Sequence, residues 1–537
     1  MLPQGSGQRK KGSSLVRQPL LKLQIKLGDS SKKIVIFQVS FGPYMAPCRL
    51  LFAKIYFSKV YLSYKEHFMF IGREQELQEL SQRFTSENFE FLVLYGRRRI
   101  GKTALIREFI LDKKAIYFMG VESNAKQNLD NFNRCIRDSL PHFPAGSQFS
   151  TFQDALEYLF SLSVKDRLIL VIDEYPYVAR ADKSLASTLQ RLIDEYHQRS
   201  KLFFILCGSS MAYMEDQVLA YKSPLYGRRT WQKKLLPLSF EECCHYLRPM
   251  PPEDRAIAYG MVGGTPQYLL QIDPLRSLEE NIKSNFLNPT ALLFDEPVNL
   301  FKQEVREPAL YTAIMSAIAG GATRLSEIAG KIGESSSVCA AYLRQLIDLD
   351  LIQKETPYGE KACRKSLYSI IDPLFRFWYR FILNNSSLIS RGAVDPAYQR
   401  IAPYLPDYMG SVFEEICKEY LWKLLLSGKS PILFHSLGRW WGTNSTTRQQ
   451  EEIDIMGLEN KSTAIFAECK WTHEKVDLKV LETLIRRSQL FSIPRTHYFL
   501  FAKNGFTNGC QDKAHQLGNV TLVGYEEILA TLSEANE

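Results

Sequence analysis

An α/β chain built on a parallel sheet is the fold class this sequence predicts, and three observations predict it. Apolar runs fit for buried strands alternate with amphipathic helical stretches between residues 91 and 210, the pattern of a parallel sheet covered on both faces. Gly96-x-x-x-x-Gly101-Lys102-Thr103 is a full phosphate-binding loop, set between the strand-like Phe91–Tyr95 and a helical pattern from Ala104 to Leu111. Leu168-Ile-Leu-Val-Ile-Asp-Glu174 ends another buried strand in paired acids, at the carboxyl end where such folds carry their sites.

The elements follow in order from Met69. Phe70-Ile-Gly-Arg-Glu-Gln-Glu-Leu77 leads into an amphipathic helix through Leu80 and Phe84. After the phosphate-loop strand and helix come a strand at Ala115–Phe118 and helices over Leu129–Leu140 and Phe152–Leu162. The strand ending at Asp173, a helix over Ser184–Gln198 and a strand from Leu202 into Gly208-Ser-Ser210 complete the alternation. Gly263-Gly-Thr-Pro266 is a strong helix breaker. Between 306 and 371, two helices, the turn Gly333-Glu-Ser-Ser, the longer helix Val338–Leu349 and hairpin arms at Leu351–Glu355 and Lys365–Ile370 read as a winged helix-turn-helix. Its second helix offers little to a DNA groove beyond Ser336, Ser337, Arg344 and Gln345, while Lys354, Lys361, Arg364 and Lys365 supply the wing. DNA contact and a packing module are both open readings here. The aromatic run Asp372–Phe381 reads as packing.

Composition sets the limits. A chain of 537 residues is too long for one core, and 45% hydrophobic with 23% charged residues is ordinary for globular protein. No uncharged apolar run reaches the ~18 residues of a membrane helix. Ten cysteines without a C-x-x-C pair argue against zinc and disulfide frameworks and for a reducing, cytoplasmic setting. The net charge of +9 is local, because residues 1–68 hold twelve Lys and Arg against Asp29 and Glu66. That extension is either a basic nucleic-acid arm or lies before the true start at Met69, and the second reading is favoured. It lacks the apolar core of a secretory signal.

The phosphate loop dictates nucleoside triphosphate binding. Gly96 and Gly101 let the backbone wrap the phosphates, so that the peptide N–H groups from Arg97, Arg98, Arg99 and Ile100 through Ala104 meet the anion. Lys102 reaches the outer phosphates, and Thr103 with Asp173 holds Mg²⁺. Glu174 is placed to polarise the attacking water, and Ser209 or Ser210 to bond the γ-phosphate or that water. Arg228 and Arg229 are candidates for an arginine finger, or else a solvated basic turn.

Phe70-Ile-Gly-Arg-Glu, the phosphate loop, Ile172-Asp-Glu-Tyr-Pro176, Gly208-Ser-Ser210, Tyr226-Gly-Arg-Arg229 and Gly263-Gly-Thr-Pro-Gln-Tyr268 together resemble the archaeal-type AAA ATPases, relatives of the STAND signalling ATPases. The resemblance covers about residues 69–300. It implies ATP as the nucleotide, a core over 69–235, a helical lid over 236–305 near the nucleotide, and a finger at Arg228 or Arg229. It also implies that the three loop arginines are usual; their charge is expected to assist anion binding. In this setting residues 372–537 resemble the PD-(D/E)XK nucleases, a restriction-endonuclease-like α/β fold. Asp454, Glu468 and Lys470 match the Asp…Glu-x-Lys core, and Glu414 its helical acid. Glu468 and Lys470, two apart on a strand, share a face. Two carboxylates suit Mg²⁺, and a metal with Lys470 suits activation of water against a phosphodiester. Lys479, Arg486, Arg487 and Gln489 would hold a DNA backbone or form the wet face of their helix. The expected function is ATP hydrolysis controlling DNA cleavage. The alternatives are a regulatory ATP switch or scaffold with an inactive nuclease fold, and oligomerisation is open.

Overall fold

The computed structural model describes residues 70–533 apart from 142, 145, 361–364 and 445–446. The reading of residues 1–68 and of Lys361 and Arg364 therefore lies outside the described residues.

Five strands form the first sheet: β1 (Glu90–Tyr95), β2 (Ala115–Met119), β3 (Leu168–Asp173), β4 (Leu202–Gly208) and β5 (Trp231–Lys234). Their order is β2-β3-β4-β1-β5 and every pairing is parallel. Strands β1, β3 and β4 are buried at every position, as both-sided coverage demands. Their alternate residues feed two separate cores. Phe91, Val93, Leu170, Ile172 and Phe204 face one side; Leu92, Leu94, Ile169, Val171 and Phe203 face the other. The helix Lys102–Ile110 follows the phosphate loop.

Helices at Phe240–Tyr246, Pro252–Val262 and Leu292–Glu304 follow the sheet. The breaker at Gly263-Gly-Thr-Pro ends the second of these and leads into the short helix Pro266–Leu269. Gly264 is required for close approach: its carbonyl accepts from Leu238 N at 2.7 Å, and a Cβ there would overlap the Leu238 backbone. Helices Pro308–Ala319, Leu325–Ile332 and Ser336–Asp348 precede an antiparallel ribbon of β6 (Ile352–Glu355) and β7 (Leu367–Ile370). The aromatic run is packing: Phe375, Phe377, Trp378, Tyr379 and Phe381 are all buried.

The second sheet contains β8 (Leu437–Thr443), β9 (Gln450–Asn460), β10 (Thr463–Lys470), β11 (Arg495–Ala502) and β12 (Val520–Gly524), ordered β12-β11-β10-β9-β8. It is mixed: β8, β9 and β10 pair antiparallel, while β10, β11 and β12 pair parallel. The 22-residue helix Leu405–Leu426 packs on one face of this sheet. One continuous hydrophobic core runs from Leu238 to Leu532, crossing the expected boundaries at 305/306 and 371/372. Among the described residues, no helix is long and apolar enough to cross a membrane.

Candidate functional site

Strand β1 delivers the chain to Gly96, where a Cβ would sit 2.6 Å from the Leu235 carbonyl. Only glycine fits that turn. Arg99 and Gly101 both adopt left-handed backbone, with φ of 70° and 91°. Lys102 opens the following helix, 5% exposed, and its ammonium donates to the carbonyls of Gly96 at 2.9 Å and Arg97 at 2.8 Å. Burial lowers its pKa, opposed by the neighbouring Cys207, Glu174 and Asp173. A buried ammonium at the loop's mouth is a strong counter-charge for phosphate oxygens.

Asp173 is wholly buried at the end of β3. Its Oδ2 accepts from Thr103 Oγ1 at 2.7 Å and from Tyr117 Oη at 2.5 Å, and its Oδ1 from Glu174 N at 2.9 Å. The sequence reading placed Thr103 and Asp173 together but missed Tyr117. A half-buried tyrosine in the short strand β2, whose hydroxyl needs a partner, was the available signal. Burial first, then Asp173, pushes the Tyr117 hydroxyl far up, so it stays a proton donor. A threonine hydroxyl and a carboxylate side by side are oxygen ligands of the kind Mg²⁺ takes, so the set fits that ion.

Glu174 adopts left-handed backbone, φ 52° and ψ 44°, a conformation that costs a non-glycine residue on the order of 1 kcal/mol. Its Oε2 accepts from Ser209 Oγ at 2.8 Å and Ser209 N at 3.2 Å. Ser209 thus holds the candidate base, a role different from the expected bond to phosphate or water.

The three loop arginines correct the expectation of a free anion-attracting charge. Arg97 pairs with buried Asp372 at 2.8 Å and donates to the Asp350 carbonyl at 3.2 Å. Burial is the largest single effect and opposes its charge, but Asp372, Tyr268 and Asp350 together outweigh it and its pKa rises. Arg98 pairs with Glu304 at 2.6 Å and donates to Tyr177 Oη at 2.9 Å. Arg99 pairs with Glu296, which also accepts from Tyr268 Oη at 2.7 Å. Their charge is spent on carboxylates more than 190 residues further along the chain. The loop is tied down by them.

Of the two candidate finger arginines, the charge of Arg229 acts on Tyr95, just before Gly96. Arg228 makes a two-pronged pair with Asp194, at 2.6 and 2.7 Å, and Arg229 lies over the Tyr226 ring.

A second cluster forms where helix Leu405–Leu426 meets β9 and β10. Asp454 Oδ2 accepts from Cys469 N at 2.8 Å, which brings Asp454 beside Glu468 and Lys470. Lys470 Nζ donates to Glu468 Oε1 at 2.7 Å, and Arg487 reaches Glu468 at 3.3 Å. Burial and then Asp454 raise Glu468, and the same two causes push Glu414 up to about 8. Lys470 is raised, the pull of Glu468 and Asp454 exceeding the opposing effect of burial. Asp454 therefore lies within electrostatic reach of both Glu468 and Glu414. Among the described residues, however, no three His, Cys, Asp or Glu groups are close enough to form a metal cage. Two carboxylates suffice for Mg²⁺ that also takes substrate oxygens, so Asp454 and Glu468 fit that ion. Arg486 and Arg487 correct the expectation of a DNA-holding face: both pair with buried Glu451, holding its pKa down to about 2.

The first sheet, its phosphate loop and the buried Asp173–Thr103 pair define a P-loop ATPase domain. A family model described as an ATPase domain predominantly from Archaea matches residues 70–272. The Methanocaldococcus jannaschii protein MJECL04 is 34% identical over 431 residues, covering 79% of this chain and 93% of that relative. The chain belongs to this archaeal ATPase family. A second model, described as archaeal and bacterial proteins of unknown function, matches residues 378–481. An ATP-binding protein of the same organism, MJ0423, is 44% identical over 46 residues, 9% of this chain and 78% of its own. Among solved structures, a Walker-type ATPase of Pyrococcus abyssi superposes with a TM-score of 0.44 at 21% identity, covering 58% of this chain and 96% of its own. Cdc6p from Pyrobaculum aerophilum does so at 0.31 and 16%, covering 60% and 97%.

Proposed function

We propose that ATP hydrolysis by this chain controls a Mg²⁺-dependent DNA cleavage centre at Asp454, Glu468 and Lys470, with Glu414 as its helical acid. One observation carries the reading: helix Leu405–Leu426 stands between the two centres, linked to one by charge and to the other by hydrogen bonds. Glu414 of that helix stands within the field of Asp454. One turn on, Glu419 accepts from Phe240 N and Glu241 N at 2.9 Å each, capping a lid helix. Glu242 of the same lid helix accepts from Arg73 N at 3.1 Å, and Arg73 Nη2 donates to the Ile100 carbonyl inside the phosphate loop at 3.2 Å. A nucleotide that moves the loop pulls on this chain of contacts.

In the nucleotide site, Lys102 binds the outer phosphates and Glu174, oriented by Ser209, takes a proton from water. Mg²⁺ would be held by Thr103 and Asp173, where it neutralises phosphate charge. In the second centre Lys470 offers a cation to a scissile phosphate. We read Leu325–Ile370 as a winged helix-turn-helix whose exposed Ser336, Ser337, Arg344 and Lys354 approach DNA. Arg228 and Arg229 would serve a neighbouring copy in an oligomer, with Arg228 first leaving Asp194.

The test is cleavage of linear, nicked and branched DNA in Mg²⁺ or Mn²⁺, with and without ATP. Wild type is expected to cut, and Asp454→Ala and Lys470→Ala to lose cutting while keeping ATP turnover. Cutting that survives both changes would reject the centre. A second reading, an ATP-driven regulatory switch, draws support from the internal pairing of Glu468 with Lys470 and Arg487. ATP hydrolysis without cutting on any substrate would favour it.

A further inference from the structure

Beside the phosphate loop lies a cavity of about 720 Å³, lined by Arg97, Arg98 and Ser209 and by Arg306, Tyr342 and Gln345. Arg306 stands in the connection between helices Leu292–Glu304 and Pro308–Ala319. The cavity's other two cations are committed, Arg97 to Asp372 and Arg98 to Glu304. The acids nearest Arg306 in sequence are also taken, Glu304 by Arg98 and Glu307 by the Tyr342 hydroxyl. Arg306 is exposed, and among the described residues it makes no ion pair or hydrogen bond. Among the described residues it is the one uncommitted cation lining a cavity that also contains Ser209, the residue holding Glu174.

We propose that Arg306 is a catalytic cation acting within its own chain, stabilising the charge that develops on the γ-phosphoryl group during ATP hydrolysis. The inference rests on the ATPase reading of the loop. In the step, water oxygen bonds to the γ-phosphorus as the bond from phosphorus to the β–γ bridging oxygen breaks. That oxygen leaves on ADP with the electron pair, and the water proton passes to Glu174; the products are ADP and inorganic phosphate. Arg306 makes and breaks no covalent bond. Its free guanidinium needs no partner broken before it turns to phosphate, whereas withdrawing Arg97 would leave Asp372 buried and unpaired. A long side chain on a short connection also has the reach to move in as charge develops.

The experiment uses the full chain, with Lys102→Ala as the separate control for the ATPase reading: turnover surviving Lys102→Ala would reject that reading itself. Arg306→Ala is expected to lower kcat by about 100-fold or more, with a small change in KM and partial recovery in Arg306→Lys. Binding of ADP alone is expected to persist in Arg306→Ala, while retention of ADP with aluminium fluoride, a mimic of the transferring phosphoryl group, is lost. A mixture of Arg306→Ala and Lys102→Ala chains is expected to stay inactive, since loop and arginine must share a chain. Turnover of Arg306→Ala near wild type, or intact aluminium fluoride retention, would overturn the proposal. Recovery in the mixture would overturn it too, and would point to a finger donated between copies.

Discussion

The two centres of this molecule are built by opposite rules. At the nucleotide site the functional groups fall in two short runs, 96–104 and 173–174, and the partners orienting the two acids are neutral: Thr103 and Tyr117 hydroxyls on Asp173, Ser209 on Glu174. At the acidic centre the groups come from a helix and two strands, and their partners are charged: Lys470 and Arg487 on Glu468, with Asp454 raising Glu414. A neutral donor orients a carboxylate without cancelling its charge, so the first site keeps its anions available to metal and water. A cation cancels it. On the proposed reading, the second centre would have to exchange internal ion pairs for substrate and metal, which would make it the easier one to control.

The sharpest way to break this contrast is at the nucleotide site. Glu174→Gln is expected to cut ATP turnover by roughly 10²–10⁴-fold, the worth of a positioned base, with ATP binding retained in an equilibrium titration. Equal turnover would remove Glu174 from the chemistry. The next largest effect falls on stability. Arg97→Ala leaves Asp372 buried without its cation, and denaturant unfolding is expected to show a loss of about 3–5 kcal/mol. Arg97→Met with Asp372→Leu should be milder than the single change, and a worse double variant would contradict this account of the pair.

A smaller effect sharpens the neutral-partner rule. Ser209→Ala removes the hydroxyl on Glu174 but not the backbone N–H, and kcat is expected to fall about tenfold, since a hydrogen bond to a charged group is worth roughly 1.5–3 kcal/mol. KM should hardly move. The smallest test is acid titration of the charged-partner centre. Arg486 and Arg487 lower Glu451 from 4.5 to about 2, so its stabilisation is full above pH 4.5 and drains away as pH falls toward 2. Thermal melts of Glu451→Gln should lose this part of the acid slope. An unchanged slope would mean the pairs do not act on stability.

The nucleotide site was legible because phosphate binding needs consecutive N–H groups and a lysine at fixed spacing, which one short motif supplies. What escaped were the partners set by sheet order. Tyr117 meets Asp173 because β2 lies next to β3, and nothing in sequence spacing gives that neighbour. The arginine ties escaped for the same reason: Asp372 and Arg97 stand 275 positions apart. At the second centre the Glu-x-Lys pair could be read from strand periodicity, and Asp454 only from resemblance. The diversion of Arg486 and Arg487 to Glu451 could not be read, because a basic helix face looks alike whether it meets water, DNA or a buried acid.

Helix Leu405–Leu426 has a consequence for how the gene can be divided. Its Tyr408 donates to the Gly260 carbonyl at 2.6 Å and its Lys423 pairs with Glu241 at 2.9 Å, while Phe413 meets Trp471 at a tilt and Tyr420 meets Phe501 edge to face in the C-terminal sheet region. One rod is thus mortar for both halves. A reading frame split near residue 371 would hand each product an open apolar wound, and neither half would have an independent career. Recombination that shuffles ATPases among partners would have to carry the whole stretch from Leu238 to Leu532 as a single heirloom.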